Sequence, residues 1–245
     1  MFADVLIQSS SLPDWAATAP ILALAAASIV LLLADTIDPD TSNSTLLAAI
    51  ATVGSLVSFG IAGWYLVSGT GQPSTGGAIE LYGASLVVDG MALFFQLIFA
   101  SVTALVVIAS YDYLEGEAYQ GEFYSLVLFA ATGMSLMAAS NSLATVFVSL
   151  ELASLPSYAL VAFLKRNRGS VEASLKYFLI GAVSSAVLAF GISLVYAATG
   201  SLVLGDVASG LVDATGMVGV AGIGVFMIIG GFAFKTASVP FHFWA

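Results

Sequence analysis

Three ionisable residues, Glu151, Lys176 and Lys235, sit in stretches of sequence apolar enough to cross a bilayer. A charge at the centre of a membrane helix costs roughly 2.5–3.5 kcal/mol on insertion scales, so it persists where it does a job or has a partner. A carboxylic acid and an amine are also a pair that can hand protons on. Burial lowers a lysine's proton affinity and an approaching carboxylate raises it, so pairing of Glu151 with Lys176 or Lys235 would load and release protons as helices shift.

Each residue has a local setting that sharpens or weakens this reading. Glu151 follows Asn141 by about ten residues, or about 15 Å of helix, which puts it near mid-membrane depth. Around it, FVSLELASLPSYAL supplies Ser149, Ser154, Ser157 and Tyr158 as hydrogen-bond partners, and Pro156 frees a backbone carbonyl one turn earlier. The plain alternative is a neutral acid hydrogen-bonded between helices. Lys235 closes the uncharged run GMVGVAGIGVFMIIGGFAFK and precedes Pro240 in sequence that stays apolar, the pattern of a discontinuous helix lining an ion path. A lysine snorkelling at a helix end would look the same. Lys176 lies shallow in its span with Glu172 one turn before it, so a local ion pair accounts for it equally well. The single histidine, His242, has the intrinsic chemistry of a relay member, or packs among Phe241, Phe243 and Trp244.

The elements that must hold these residues are helices. Windows of about 20 mostly apolar residues recur with short polar breaks, and predict seven spans. They run 15–34, 45–67, 90–110, 123–140, 142–163, 171–198 and 216–236, a polytopic all-α transmembrane bundle. Asn141 is the expected N-cap of the fifth, and Asp89 and Glu122 suit the starts of the third and fourth. Trp15, Trp64 and Trp244 fit interfacial anchors, and Gly219, Gly222, Gly224, Gly230 and Gly231 fit close helix contacts. Lys165, Arg166 and Arg168 between the fifth and sixth spans place that connection, and with it DYLEGEAYQGE, on the cytoplasmic face, with the amino terminus outside.

Composition excludes other classes. The chain is 60% hydrophobic and 8% charged, with a net charge of -10 that argues against a nucleic-acid partner. Its acidic loops suit a high-salt cytoplasm. With no cysteine and one histidine, iron–sulfur, thiolate–zinc and disulfide chemistry are unavailable, so electron-carrying cofactors belong elsewhere. The opening MFADVLIQSSSLPDW has acid where a secretory leader carries base, so the first span is expected to stay as an anchor. The apolar ending FHFWA reads as the front part of a longer protein.

The strings SLELASLPSYALVAFLKRNRGSVEASLKYFLIGAVSSAVLAFGISLVYAATGSL and FKTASVPFHFWA resemble the proton-conducting membrane family of complex I, and are most like its N subunit. EASLKYFLIGA with the following ATGSL favours that subunit over the M and L subunits and over multisubunit sodium/proton antiporters. The earlier run EFYSLVLFAATGMSLMAASNSLATVFVSLE fits as well, so the resemblance covers about 122–245. It implies a fourteen-helix fold with two inverted five-helix repeats. A single membrane domain, 1–245, would then hold leading helices over about 1–115 and the start of the proton-conducting repeat over about 122–245. It also implies proton transfer through Glu151, Lys176 and Lys235, the last on a broken seventh helix. Quinone, flavin and iron–sulfur clusters would be carried by other membrane and peripheral subunits, in a multi-pass assembly of a prokaryotic cell membrane. The competing expectation is an antiporter subunit with the same buried pair and no redox driver.

Overall fold

The computed structural model describes residues 13–37, 44–72, 77–117, 119–163, 168–213, 216–239 and 241–242. Backbone amides that face hydrocarbon have no water to bond, so an apolar stretch of bilayer length satisfies them internally as a helix whatever its side-chain propensities. Among the described residues this happens seven times. A 3-10 turn, Asp14–Thr18, leads into α1 (Ala19–Ile37), and α2 (Ser44–Ser68), α3 (Gly90–Tyr113), α4 (Gln120–Ala138), α5 (Leu143–Val161) and α6 (Arg168–Thr199) follow. A short α7 (Leu204–Asp213) precedes α8 (Val218–Lys235). All but α7 are long and apolar enough to cross a membrane, and the seven expected spans match them to within a few residues at each end.

Several hydroxyls within the spans are satisfied by their own helix. Ser55, Thr132, Ser154 and Ser157 each donate to the carbonyl one turn back, at 2.7–2.8 Å. Asp89 caps α3 as expected, accepting from Ala92 N–H at 2.7 Å, and Glu122 lies in the first turn of α4. The cap of α5 differs from expectation. Ser142 is the N-cap, its hydroxyl accepting from Ala144 N–H while its own N–H donates to Thr145 Oγ1. Asn141 is used elsewhere: its side-chain amide donates to the Ala84 carbonyl at 2.9 Å.

That bond ties α5 to an element the hydropathy pattern did not announce. Residues Ile79–Leu81 (β1) and Leu86–Val88 (β2) form an antiparallel hairpin, and Leu86 also bridges to Ser140. Ser142 in turn bridges to Val203 just before α7, so hairpin, α4–α5 turn and α6–α7 link share one end of the bundle. α7 is amphipathic, burying Val207 while Asp206 accepts from Ser201 at 3.0 Å. Alternation of the spans puts 114–117, the end of α5, the start of α6 and the end of α8 at the other end. Lys165 and Arg166, which carry most of the orientation argument, lie outside the described residues, as do Pro240, Phe243 and Trp244. Trp15 and Trp64 are exposed near helix ends.

Packing divides into clusters joined through α4. Leu24, Leu31, Leu47, Val107, Tyr124 and Leu128 fill the space among α1 to α4. Leu143, Leu150, Leu188, Ile192, Val195 and Val207 fill the space among α5 to α7, with Val225 and Phe232 of α8 packed against them. Glycine sets two close approaches. A Cβ on Gly133 of α4 would meet the Leu152 carbonyl carbon of α5 at 2.7 Å, and one on Gly224 of α8 would meet the Gly191 carbonyl oxygen of α6 at 2.9 Å. Gly231, two turns beyond Gly224, packs against Leu188 in the same way. Gly219, Gly222 and Gly230 have open space where a Cβ would stand, so of the five glycines expected at helix contacts only Gly224 and Gly231 are there. They alone lie on the face of α8 turned to α6.

Candidate functional site

α5 brings Glu151 about 12 Å along its axis from Leu143, and its next turns place Ser154 and Tyr158 on the same face. Pro156 continues the helix but donates no N–H, which leaves the Leu152 carbonyl without its helical partner. α8 comes to the same depth at its last residue, Lys235. Beyond it the helix stops: Thr236 caps, Ala237 takes the left-handed region with φ 52°, and Ser238 N–H folds back to the Ala233 carbonyl at 2.8 Å. A non-glycine residue at positive φ is a strained stop, held here by the surrounding bonds. α8 therefore stops immediately after Lys235, where the sequence predicts a discontinuous helix.

The two side chains meet between α5, α6 and α8. Lys235 Nζ lies 3.3 Å from Glu151 Oε1, and the lysine side chain is 10% exposed against 19% for the glutamate. The ammonium also donates to Ser154 Oγ at 3.0 Å and to Tyr158 Oη at 2.8 Å, so each of its three N–H groups has an acceptor. From α6, Ser185 donates to Glu151 Oε1 at 2.6 Å. The oxygen that faces the lysine is thus also held by a hydroxyl. Lys235 lies 5.4 Å from the centre of the Tyr158 ring. The arrangement is a carboxylate, an amine and three hydroxyls in a low-dielectric wall, able to keep a proton and to alter its hold when one helix moves.

Residues 140–245 match the family described as NADH:quinone oxidoreductase/Mrp antiporter, transmembrane. Over 232 residues the chain is 38% identical to F(420)H(2) dehydrogenase subunit N of Methanosarcina mazei, covering 93% of this chain and 45% of that one. The chain belongs to this membrane-subunit family. A second family relative, NADH-quinone oxidoreductase subunit N of a Paenibacillus species, is 36% identical over 238 residues, covering 93% of this chain and 46% of the relative. Among solved structures, a chain of respiratory complex I from Thermus thermophilus with bound aureothin superposes with TM-score 0.72 at 31% identity, over 92% of this chain and 45% of that one. The chain spans about half the length of the curated relatives it matches.

Of the residues that sequence pattern singled out, this family member joins Glu151 with Lys235 and leaves Lys176 apart. Lys176 Nζ pairs with Glu172 Oε1 at 2.5 Å on the exposed outer side of α6, the two side chains 68% and 66% exposed. The local ion pair read from the spacing is what forms. His242 lies exposed past the end of α8. The hydroxyl set also sorts differently from expectation: Ser154 and Tyr158 serve the lysine, Ser157 bonds Ala153, and Ser149 bonds Thr145 and Ser140. Ser185 was missed. Its only sequence signal is the polar pair Ser184–Ser185 inside an apolar helix, with Ser184 donating across to the Gly231 carbonyl at 3.1 Å. Among the described residues no three of His, Asp and Glu come together as a metal-binding group.

Proposed function

We propose that this chain works as a proton-translocating membrane subunit of a respiratory quinone oxidoreductase, with Glu151 and Lys235 as its proton-handling pair. The observation that carries the reading is the part-buried 3.3 Å contact between them at the end of α8. Removing either partner of such a pair leaves an uncompensated charge in an apolar wall, so the two are energetically linked. A change in the field at Glu151 then alters how firmly Lys235 holds its proton, and the charge crosses the membrane in steps. No electron passes through this chain in the proposal. Quinone, flavin and iron–sulfur groups sit on partner subunits, the donor being NADH or another reduced carrier such as the one named for the Methanosarcina relative.

The chain is then part of a translocase, and not a redox enzyme by itself, in the plasma membrane of a prokaryote. Its acidic loops suit a cell with high internal salt. In this reading Lys176, with its Glu172 partner, tunes the path from outside the pair, and His242 relays beyond the end of α8. The division into leading helices and the start of a proton-conducting repeat is part of the same proposal.

The test is Lys235→Ala in the full-length protein within its native complex, with proton translocation measured in sealed vesicles against quinone-reductase turnover. Protons moved per quinone reduced should fall while the complex still assembles. Unchanged stoichiometry would remove the proposed role. Co-purification with antiporter subunits and sodium-dependent exchange, without reductase activity, would instead make the chain an exchanger using the same pair.

A further inference from the structure

The shortest contact of the Lys235 ammonium is not with the carboxylate. Tyr158 Oη accepts at 2.8 Å and Ser154 Oγ at 3.0 Å, whereas Glu151 Oε1, engaged by Ser185 at 2.6 Å, stands off at 3.3 Å. The tyrosine is also the most firmly seated of the three acceptors. It is buried, its ring meets Tyr177 edge to face at 4.4 Å between centroids and Phe178 at 5.9 Å, and its backbone carbonyl accepts from Ser174 Oγ at 2.8 Å. Its hydroxyl occupies the place on α6 where a side chain at residue 181 would begin: a Cβ on Gly181 would overlap the Tyr158 hydroxyl oxygen and lie 2.6 Å from Cζ. The lysine, by contrast, is the last residue of its helix, two residues before the left-handed Ala237.

We propose that Tyr158 is a positioning residue for Lys235: its hydroxyl, seated in the gap left by Gly181, keeps the ammonium docked on α5 when the contact with Glu151 lengthens. A weakened carboxylate attraction then acts on the proton and not on where the side chain sits. In that step one Nζ–H bond breaks, the electron pair stays on nitrogen, and the proton passes to a water molecule. A neutral hydroxyl suits this task because it accepts from the amine in its charged form and tolerates its neutral form, whereas a second carboxylate would trap the charge. The groups facing the ammonium are the Glu151 carboxylate with the Ser154 and Tyr158 hydroxyls of α5. α6 acts through Ser185 on Glu151 and through Tyr177 on the Tyr158 ring, and α8 has no other ionisable residue.

This inference rests on Lys235 being a proton carrier, and the experiment separates the two. Full-length Lys235→Ala, Tyr158→Phe, Gly181→Ala and Gly181→Ala/Tyr158→Phe are compared in the assembled complex, in sealed vesicles, for translocation per quinone reduced across a pH series. Tyr158→Phe should assemble normally and translocate several-fold less per quinone reduced, with a pH profile displaced from that of the wild type. Gly181→Ala should act in the same direction by displacing the hydroxyl, and supplies the test if Tyr158→Phe does not assemble. The double variant should translocate no more than Tyr158→Phe, because the added methyl still meets the ring Cζ at 2.6 Å. Tyr158→Phe with wild-type translocation and an unmoved profile, alongside a defective Lys235→Ala, overturns the positioning role alone. Gly181→Ala at the wild-type level overturns the seating. Lys235→Ala at the wild-type level overturns the underlying proton reading.

Discussion

Glu151→Gln changes one charge and almost no shape, and so isolates what the carboxylate does for Lys235. At the observed 3.3 Å, Coulomb's law with an effective dielectric of about 20 gives an attraction of about 5 kcal/mol. Desolvation of both ions has offset part of that, and removing one partner of a buried pair typically costs about 3–5 kcal/mol. The Ser154 and Tyr158 hydroxyls remain as acceptors, and Ser185 can donate to the amide oxygen of the glutamine, so the lower end, about 3 kcal/mol, is the better figure. The full-length variant would be assayed in sealed vesicles by quenching of a pH-sensitive dye during quinone-driven turnover. Translocation should fall at least several-fold while the complex still assembles, because the ammonium loses its charged partner. Wild-type translocation would refute the idea that this carboxylate and the lysine work as one pair.

Further expectations follow from the packing and from the second lysine. Gly224→Val should lower the melting temperature of the purified protein, because its Cβ would enter at 2.9 Å from the Gly191 carbonyl oxygen, an overpacking cost of about 1–3 kcal/mol. Gly222→Ala, two residues away with open space beside it, should leave melting unchanged or slightly raised, and equal losses at both sites would contradict the helix rotation described. Lys176→Ala breaks only an exposed pair, so it should leave thermal stability unaltered and depress translocation less than Lys235→Ala does, a ranking read directly from the vesicle assay.

Much of this protein was legible in one dimension because a membrane imposes one-dimensional rules. Length and hydropathy located all seven spans, since a backbone in hydrocarbon has no alternative to helix once about 20 apolar residues run together. The same logic exposed Glu151 and Lys235, whose charges are conspicuous against such sequence, and the proline ahead of continuing apolar residues announced the stop after Lys235. What the sequence left open was every question of which helix faces which. Glu151 could reach either lysine on spacing alone. The choice of Lys235 is made by the rotation of α8 against α6, fixed through Gly224 and Gly231, while Lys176 points away into its own ion pair. Ser185 enters the site only because α6 crosses α5 at that level, and Tyr158 reaches the lysine only because residue 181 has no side chain. The hairpin and α7 escaped notice for a related reason: they are short, and are held by bonds to Asn141 and Ser142 across long stretches of chain. Local rules set what each segment becomes; the chemistry at the site depends on contacts between segments, which exist only once the helices have packed.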